Sequence, residues 1–264
     1  MEQKHKQEAL DAFARLLDIM DELRAKCPWD KKQTFETLRN QTIEEVYELA
    51  DAILENDTDE MKKELGDVLL HVVFYAKIGS EQDAFTITHV IDSLCEKLIY
   101  RHPHVFGEEN LENQQQVKER WEQLKQKEKG RKKGVLSGVP ESLPAMIKAA
   151  RMQSKARAVG FDWDNKEDVW DKVSEELQEL KVELFETHNK EDMEAEFGDV
   201  LFSIINAARL YGIDPETALE KTNKKFRHRF NYLESETIEK GFDLQNLTVE
   251  QMDVYWNEAK KKGM

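Results

Sequence analysis

Turn-forming residues are scarce in this chain, with 11 glycines and five prolines among 264 residues. That is about half the usual combined share of roughly 12%. A β-sandwich or barrel needs a turn every 8–12 residues or so, and the shortage excludes one. Cysteine is almost absent as well. Cys27 and Cys95 lie far apart with no metal-ligand spacing, which excludes a disulfide framework and points to a reduced, cytoplasmic setting. No long hydrophobic run occurs. The most continuous one, from Val68 to Ala76, is interrupted by His71, whereas a membrane span needs about 20 apolar residues. The stretch Met1 to Arg24 is charged and amphipathic, without the apolar segment of a signal peptide. Membrane is therefore not an expected partner. Positive charge is also short, with 39 Lys and Arg against 54 Asp and Glu and a formal charge of −15. That balance excludes nucleic-acid binding of the electrostatic kind. An anionic substrate would need a bound cation between itself and the protein.

What is present is helical periodicity. Leu65, Val68, Leu69, Val72, Val73 and Ala76 recur at the spacing of one helix stripe, and Phe197, Val200, Leu201, Ile204, Ile205 and Ala208 repeat it 132 residues later. Asp57 with Glu60 and Thr248 with Gln251 have capping-box spacing, and Asp214-Pro215 places proline at a first helical position. These signals predict helices near 5–25, 34–55, 58–78, 84–101, 114–129, 141–156, 166–187, 190–211, 215–240 and 248–261. No segment alternates long enough to require a strand, so the expected fold is all-α.

The halves align internally. Trp29-Asp30 matches Trp163-Asp164, Glu44, Glu45 and Glu48 match Glu175, Glu176 and Glu179, and Trp121 matches Trp256. Glu64-Leu65-Gly66-Asp67 likewise matches Glu196-Phe197-Gly198-Asp199. A duplicated helical domain explains this economically. The Lys-, Gly- and Pro-containing stretch between the halves reads as a linker. The expected organisation is a domain over 1–124, a linker over 125–144 and a second domain over 145–264.

Each helical residue advances about 100°, so Glu44, Glu45 and Glu48 share one side of a helix. Glu64 and Asp67 lie about 60° apart on the next. An antiparallel hairpin through Asn56–Asp59 brings both acidic edges together, and the second half repeats the arrangement. Converging carboxylates repel. A hard divalent cation relieves that repulsion, and an all-oxygen donor set suits Mg²⁺ or Mn²⁺. A lone E-E-x-x-E carries little weight in so acidic a chain. Two copies, each followed after 15 or 16 residues by E-x-G-D, carry much more.

With its flanking Cys27-Pro28-Trp29-Asp30 and Arg101-His102-Pro103-His104-Val105-Phe106-Gly107, this pattern resembles the MazG family of nucleoside triphosphate pyrophosphohydrolases across essentially the whole chain. The resemblance implies Mg²⁺-dependent hydrolysis of an NTP or dNTP to monophosphate and pyrophosphate, by duplicated helical bundles that assemble as a homodimer. It implies Mg²⁺ ligands at Glu176, Glu179, Glu196 and Asp199, with Glu45, Glu48, Glu64 and Asp67 as the N-terminal counterpart. Glu175, beside Glu176 in the catalytic pair, is the candidate to orient or deprotonate the attacking water.

Phosphates require cations, and here the halves differ. The second half has Lys172 one turn before its acidic face, and Lys225 and Arg229 on one face of a later helix. Asn223 is a candidate for sugar or base, and Trp256 for stacking on the base. The position equivalent to Lys172 falls near Gln41, so the second half is the better candidate for catalysis. Alternatives remain. A di-iron bundle needs Glu-x-x-His on two helices, and only Glu2 with His5 has that spacing. A non-enzymatic scaffold with vestigial acidic faces and a single-substrate relative acting on dUTP or phosphoribosyl-ATP both stay open.

Overall fold

The computed structural model describes residues 3–113, 116, 117, 120, 121, 124, 134–163 and 165–264. Among them every regular element is helical and no strand occurs. Packing divides the chain at Asn113/Gln114 into two compact units.

The first unit contains α1 (Gln3–Lys26), a 3₁₀ turn at Asp30–Lys32, α2 (Phe35–Glu55), α3 (Thr58–Glu81), α4 (Ile87–Arg101) and a single turn α5 (Pro103–Phe106). α2 and α3 form a tight antiparallel hairpin, and α1 packs on α3. Local chemistry sets the hairpin. Thr34 and Thr37 close a reciprocal capping box at the start of α2. Asn56 ends α2 in the left-handed conformation, at φ 56°, which asparagine tolerates better than most residues. Asp57 then caps α3 by accepting from the amides of Asp59 and Glu60, at 3.1 and 3.0 Å. Met20, Leu38, Val73, Phe74 and Ile78 form the core, with Phe13, Leu16, Phe35 and Tyr75 around it. Arg24 ties the 3₁₀ segment down by donating to the carbonyls of Asp30 and Gln33 while pairing with Glu81. Those bonds hold the Glu81 carboxyl below its usual range.

The second unit contains a 3₁₀ turn at Val135–Gly138, α6 (Ala145–Arg157), α7 (Val169–Val182), α8 (Lys190–Leu210), α9 (Pro215–Glu239) and α10 (Val249–Lys261). α7 and α8 repeat the hairpin, α6 packs on α8, and α9 pairs with α10. The return differs in detail. α7 runs into a π-helical turn at Glu183–Thr187 before His188 turns left-handed, at φ 56°, and Asn189 caps α8. Thr248 and Gln251 form the full capping box at α10, and Asp214 caps α9 ahead of Pro215.

The predicted helices coincide with observed ones except near 114–129. Of that segment only 116, 117, 120, 121 and 124 are described, all helical. Residues 125–133 of the expected linker and Asp164 of the second Trp-Asp lie outside the described residues. The apolar stripe on α3 does not enter the core as one piece. Val73 and Ala76 are buried, whereas Leu65, Leu69 and Val72 are exposed, as are Phe197, Leu201 and Ile204 on α8. Among the described residues no helix is long and apolar enough to cross a membrane.

Gly79 marks the tightest approach, since an added Cβ would lie 2.8 Å from the Phe85 ring. Gly79→Ala is expected to lower stability by about 1–3 kcal/mol through overpacking. Leu38→Ala, which empties part of the core, should lower it by about 2–5 kcal/mol. Urea unfolding monitored by helical circular dichroism measures both.

Candidate functional site

In each unit the acidic residues meet between the two hairpin helices. In the first, carboxylate oxygens of Glu45, Glu48 and Glu64 lie within 4.8 Å of one another. In the second, those of Glu176, Glu196 and Asp199 do so. Each group draws from both helices, so the hairpin registry creates it. Asp67 and Glu179 stand just outside these groups, yet each repels a member: Asp67 acts on Glu45 and Glu179 on Glu196.

Burial and repulsion act together. Desolvation, then the charge of Asp67 and Glu48, pushes the Glu45 carboxyl above its usual range. Desolvation followed by Glu48 does the same at Glu64, and desolvation followed by Glu179, Asp199 and Glu176 at Glu196. Few buried side-chain polar atoms among the described residues lack a hydrogen bond. Two of them are Oε2 of Glu64 and Oε2 of Glu196, at the same position of the two repeats; the others are on His104 and Gln153. A buried acceptor without a partner is costly. The same oxygen is left without a partner at the equivalent place of both repeats. The donors are all hard oxygens. Their oxygens lie within 4.8 Å of one another, close enough for carboxylates to share one ion. The residues therefore fit a hard divalent cation.

The two sites differ in their surroundings. In the second unit Lys172 reaches Glu176 at 2.8 Å and Glu175 at 3.1 Å. These bonds raise its own ammonium pKa well above the usual lysine range. Glu175 is exposed and lies beside the metal-type group rather than in it. In the first unit the equivalent of Lys172 is Gln41. Behind the acids stands a polar network in which the Thr42 hydroxyl bonds His71 Nδ1 at 2.9 Å and the Tyr75 hydroxyl at 2.7 Å. His71 is buried. Sequence alignment of the halves puts Val173, Ser203 and Ala207 at those three places.

The remaining candidates lie on the α9/α10 pair. Trp256 packs against Phe226 with centroids 5.2 Å apart, and the Arg229 guanidinium lies over its indole at 5.7 Å. Arg229 also donates to the backbone oxygen of Met264 at 2.7 Å. The Asn223 amide donates to Glu220 at 3.1 Å, and Lys225 is exposed. Trp256 and Arg229 are thus brought together, and none of the four joins the acidic group. The Thr42–His71–Tyr75 network was not legible as a unit. Its signal was the i, i+4 spacing of His71 and Tyr75, while Thr42 comes from the other helix.

Comparison with known proteins follows the same division. The model of the MazG nucleotide pyrophosphohydrolase domain matches residues 33–106 and 165–233, which contain both acidic groups. A Thermotoga maritima protein named nucleoside triphosphate pyrophosphohydrolase/pyrophosphatase MazG is 49% identical over 252 residues, 94% of this chain and 95% of that one. An Escherichia coli K12 protein named nucleoside triphosphate pyrophosphohydrolase is 40% identical over 259 residues, 96% of this chain and 98% of its own. Bacillus subtilis YabN, an uncharacterised protein, is 48% identical over 252 residues, and the match spans 52% of its length. With the domain present twice and two of these relatives matched almost end to end, the chain belongs to the MazG nucleotide pyrophosphohydrolase family.

Proposed function

We propose that this chain hydrolyses nucleoside triphosphates, NTPs or dNTPs, to the monophosphate and pyrophosphate with Mg²⁺, or Mn²⁺ in its place. We place catalysis in the C-terminal half, within a repeat domain over 145–264 that a linker over 125–144 separates from its partner domain over 1–124. The observation that carries this reading is the carboxylate group of Glu176, Glu196 and Asp199. It has an orphaned buried oxygen on Glu196 and a lysine at its edge.

In this reading Glu176, Glu179, Glu196 and Asp199 hold the metal. When bound, it neutralises phosphate oxygens and polarises a water. Glu175, next to Glu176, accepts the proton of the water whose oxygen attacks the α-phosphorus. The bond to the bridging oxygen breaks, and pyrophosphate leaves. Lys172 stands where it can exchange its carboxylate contacts for phosphate, and Lys225 and Arg229 offer further positive charge for the leaving group. The first unit has the acids, Glu45, Glu48, Glu64 and Asp67, without the lysine, which suits a weaker or structural site. Asn223 and Trp256, on the α9/α10 pair, stay as candidate sugar and base contacts.

We also propose a homodimer. Leu65, Leu69 and Val72 on α3, and Phe197, Leu201 and Ile204 on α8, present matching exposed apolar stripes, and contiguous exposed apolar surface marks contact sites between proteins. Gly66 and Gly198 beside them meet nothing within 4 Å, leaving room for a close approach from outside. Leu69→Lys combined with Leu201→Lys should halve the mass seen by sedimentation velocity; an unchanged mass removes this interface.

Pyrophosphate release from mixed NTPs should disappear with a chelator and return with Mg²⁺. Glu176→Gln and Glu175→Gln should each lose about 100-fold or more in kcat, and Glu45→Gln should keep most activity. Equal loss at Glu45 and Glu176 would remove the preference for the second half.

The raised carboxyls give a signed pH effect. The folded state holds protons at Glu45, Glu64 and Glu196 that the unfolded chain releases near pH 4.3 or so. Metal-free stability therefore falls as pH rises from that value through the raised ones. Mg²⁺ at about 100 times its dissociation constant should add about 2.7 kcal/mol at pH 7 and less at pH 5. Thermal melts with and without Mg²⁺ at the two pH values read this directly.

A further inference from the structure

The two acidic groups are alike in geometry and unlike in charge. We propose that they load a divalent cation differently. The first unit takes one unaided and keeps it as a structural ion, whereas in the second Lys172 holds the cation's place until the phosphates of a nucleotide draw the lysine away. This rests on the proposed function and deepens it, since it gives the two sites separate duties.

Three observations carry it. The first is what Lys172 touches. Its Nζ lies 2.8 Å from Oε1 of Glu176 and 3.1 Å from Oε1 of Glu175. Glu176 is 7% exposed and is one of the three residues whose oxygens converge in the second unit. An ammonium this close repels an incoming divalent cation, and it occupies an oxygen that would otherwise hold one.

The second is what the first unit lacks. Gln41 stands four residues before Glu45 on α2, as Lys172 stands four before Glu176 on α7. Glutamine carries no charge. Among the described residues no lysine or arginine pairs with Glu45, Glu48 or Glu64. Glu64 is only 6% exposed, and its Oε2 has no hydrogen-bond partner. The first group therefore has the greater need of a cation, and no ammonium fills it.

The third is the freedom of the lysine. Its side chain is 39% exposed, and its contacts with Glu175 and Glu176 run along one helix, at i, i+3 and i, i+4. Such a pair is set by local spacing. The ammonium can leave for solvent or for an arriving phosphate by turning its own side chain, with no change in the backbone. A site open about one-tenth of the time binds about tenfold more weakly than the same site left open. One residue, lysine or glutamine, thus separates an ion that arrives with substrate from one that is resident.

Calorimetric titration of the whole chain with Mg²⁺, with no nucleotide present, tests this. Two uptake events are expected, one weaker than the other by about tenfold. Glu64→Gln should abolish the tighter event and Glu196→Gln the weaker, which assigns each to its unit. Lys172→Gln should tighten the weaker event by about tenfold while lowering kcat, because the lysine also serves the phosphates. Gln41→Lys should weaken the tighter event by a similar factor. Lys181→Gln, which removes an exposed lysine of the same helix, should move neither event and so separates the contact from bulk charge. Thermal melts establish which variants are folded. Lys172→Gln and Gln41→Lys read the same contact from opposite directions, so either one decides if the other does not fold. Equal affinities in the wild type, or an event unmoved by the exchange of lysine and glutamine, overturns the inference and leaves the proposed function standing. Absence of uptake at both groups removes the metal sites of the proposed function itself, and this inference with them.

Discussion

Mutual repulsion of carboxylates held between two packed helices is the constraint around which each half of the molecule is arranged. Glu45, Glu48 and Glu64 in one hairpin, and Glu176, Glu196 and Asp199 in the other, are brought within 4.8 Å by the same packing that buries the hairpin's apolar side. The helices cannot separate to relieve the charge without exposing Val73 and Phe74 in the first unit, or Val173 and Ala207 in the second. Repulsion is therefore held in place by hydrophobic burial, and it surfaces as raised carboxyl pKa values and an unpartnered buried oxygen on each α3-type helix. A cation of the right size removes both at once.

The short turns make this possible. Asn56 and His188 both take φ 56°, and the next residue in each case caps the following helix. A reversal this tight fixes which turn of one helix faces which turn of the other. A longer loop would let the helices slide and spread the acids apart. The duplicated hairpins have since diverged around that shared frame. One has Lys172 at its acidic edge, and the other has Gln41 with the His71–Thr42–Tyr75 network behind it. The same carboxylate geometry is thereby placed in two different electrostatic settings.

Much of this was legible in the order of residues. Helix type and approximate bounds followed from 3.6-residue periodicity and from caps such as Thr248 with Gln251, because both are local. The acidic pairing followed from spacing and was strengthened by repetition. Less legible was which apolar residues are covered. Leu65, Val72 and Val73 look alike in a periodicity count, yet only Val73 is buried. Coverage depends on where α1 and α2 lie, which no local pattern specifies. Gln153 likewise reads as an ordinary helical polar residue, yet its amide donates to the carbonyl of Phe202, 49 positions away.

The sequence by itself determined the all-α class, the duplication and the presence of two matched acidic sets, since these depend on composition, period and internal repeat. Only the tertiary structure decided which acids share an oxygen cluster and which apolar stripe stays in water. Those outcomes depend on distances between helices. Hydrophobic packing, turn geometry and long-range hydrogen bonds fix them together, and none can be read from one segment alone.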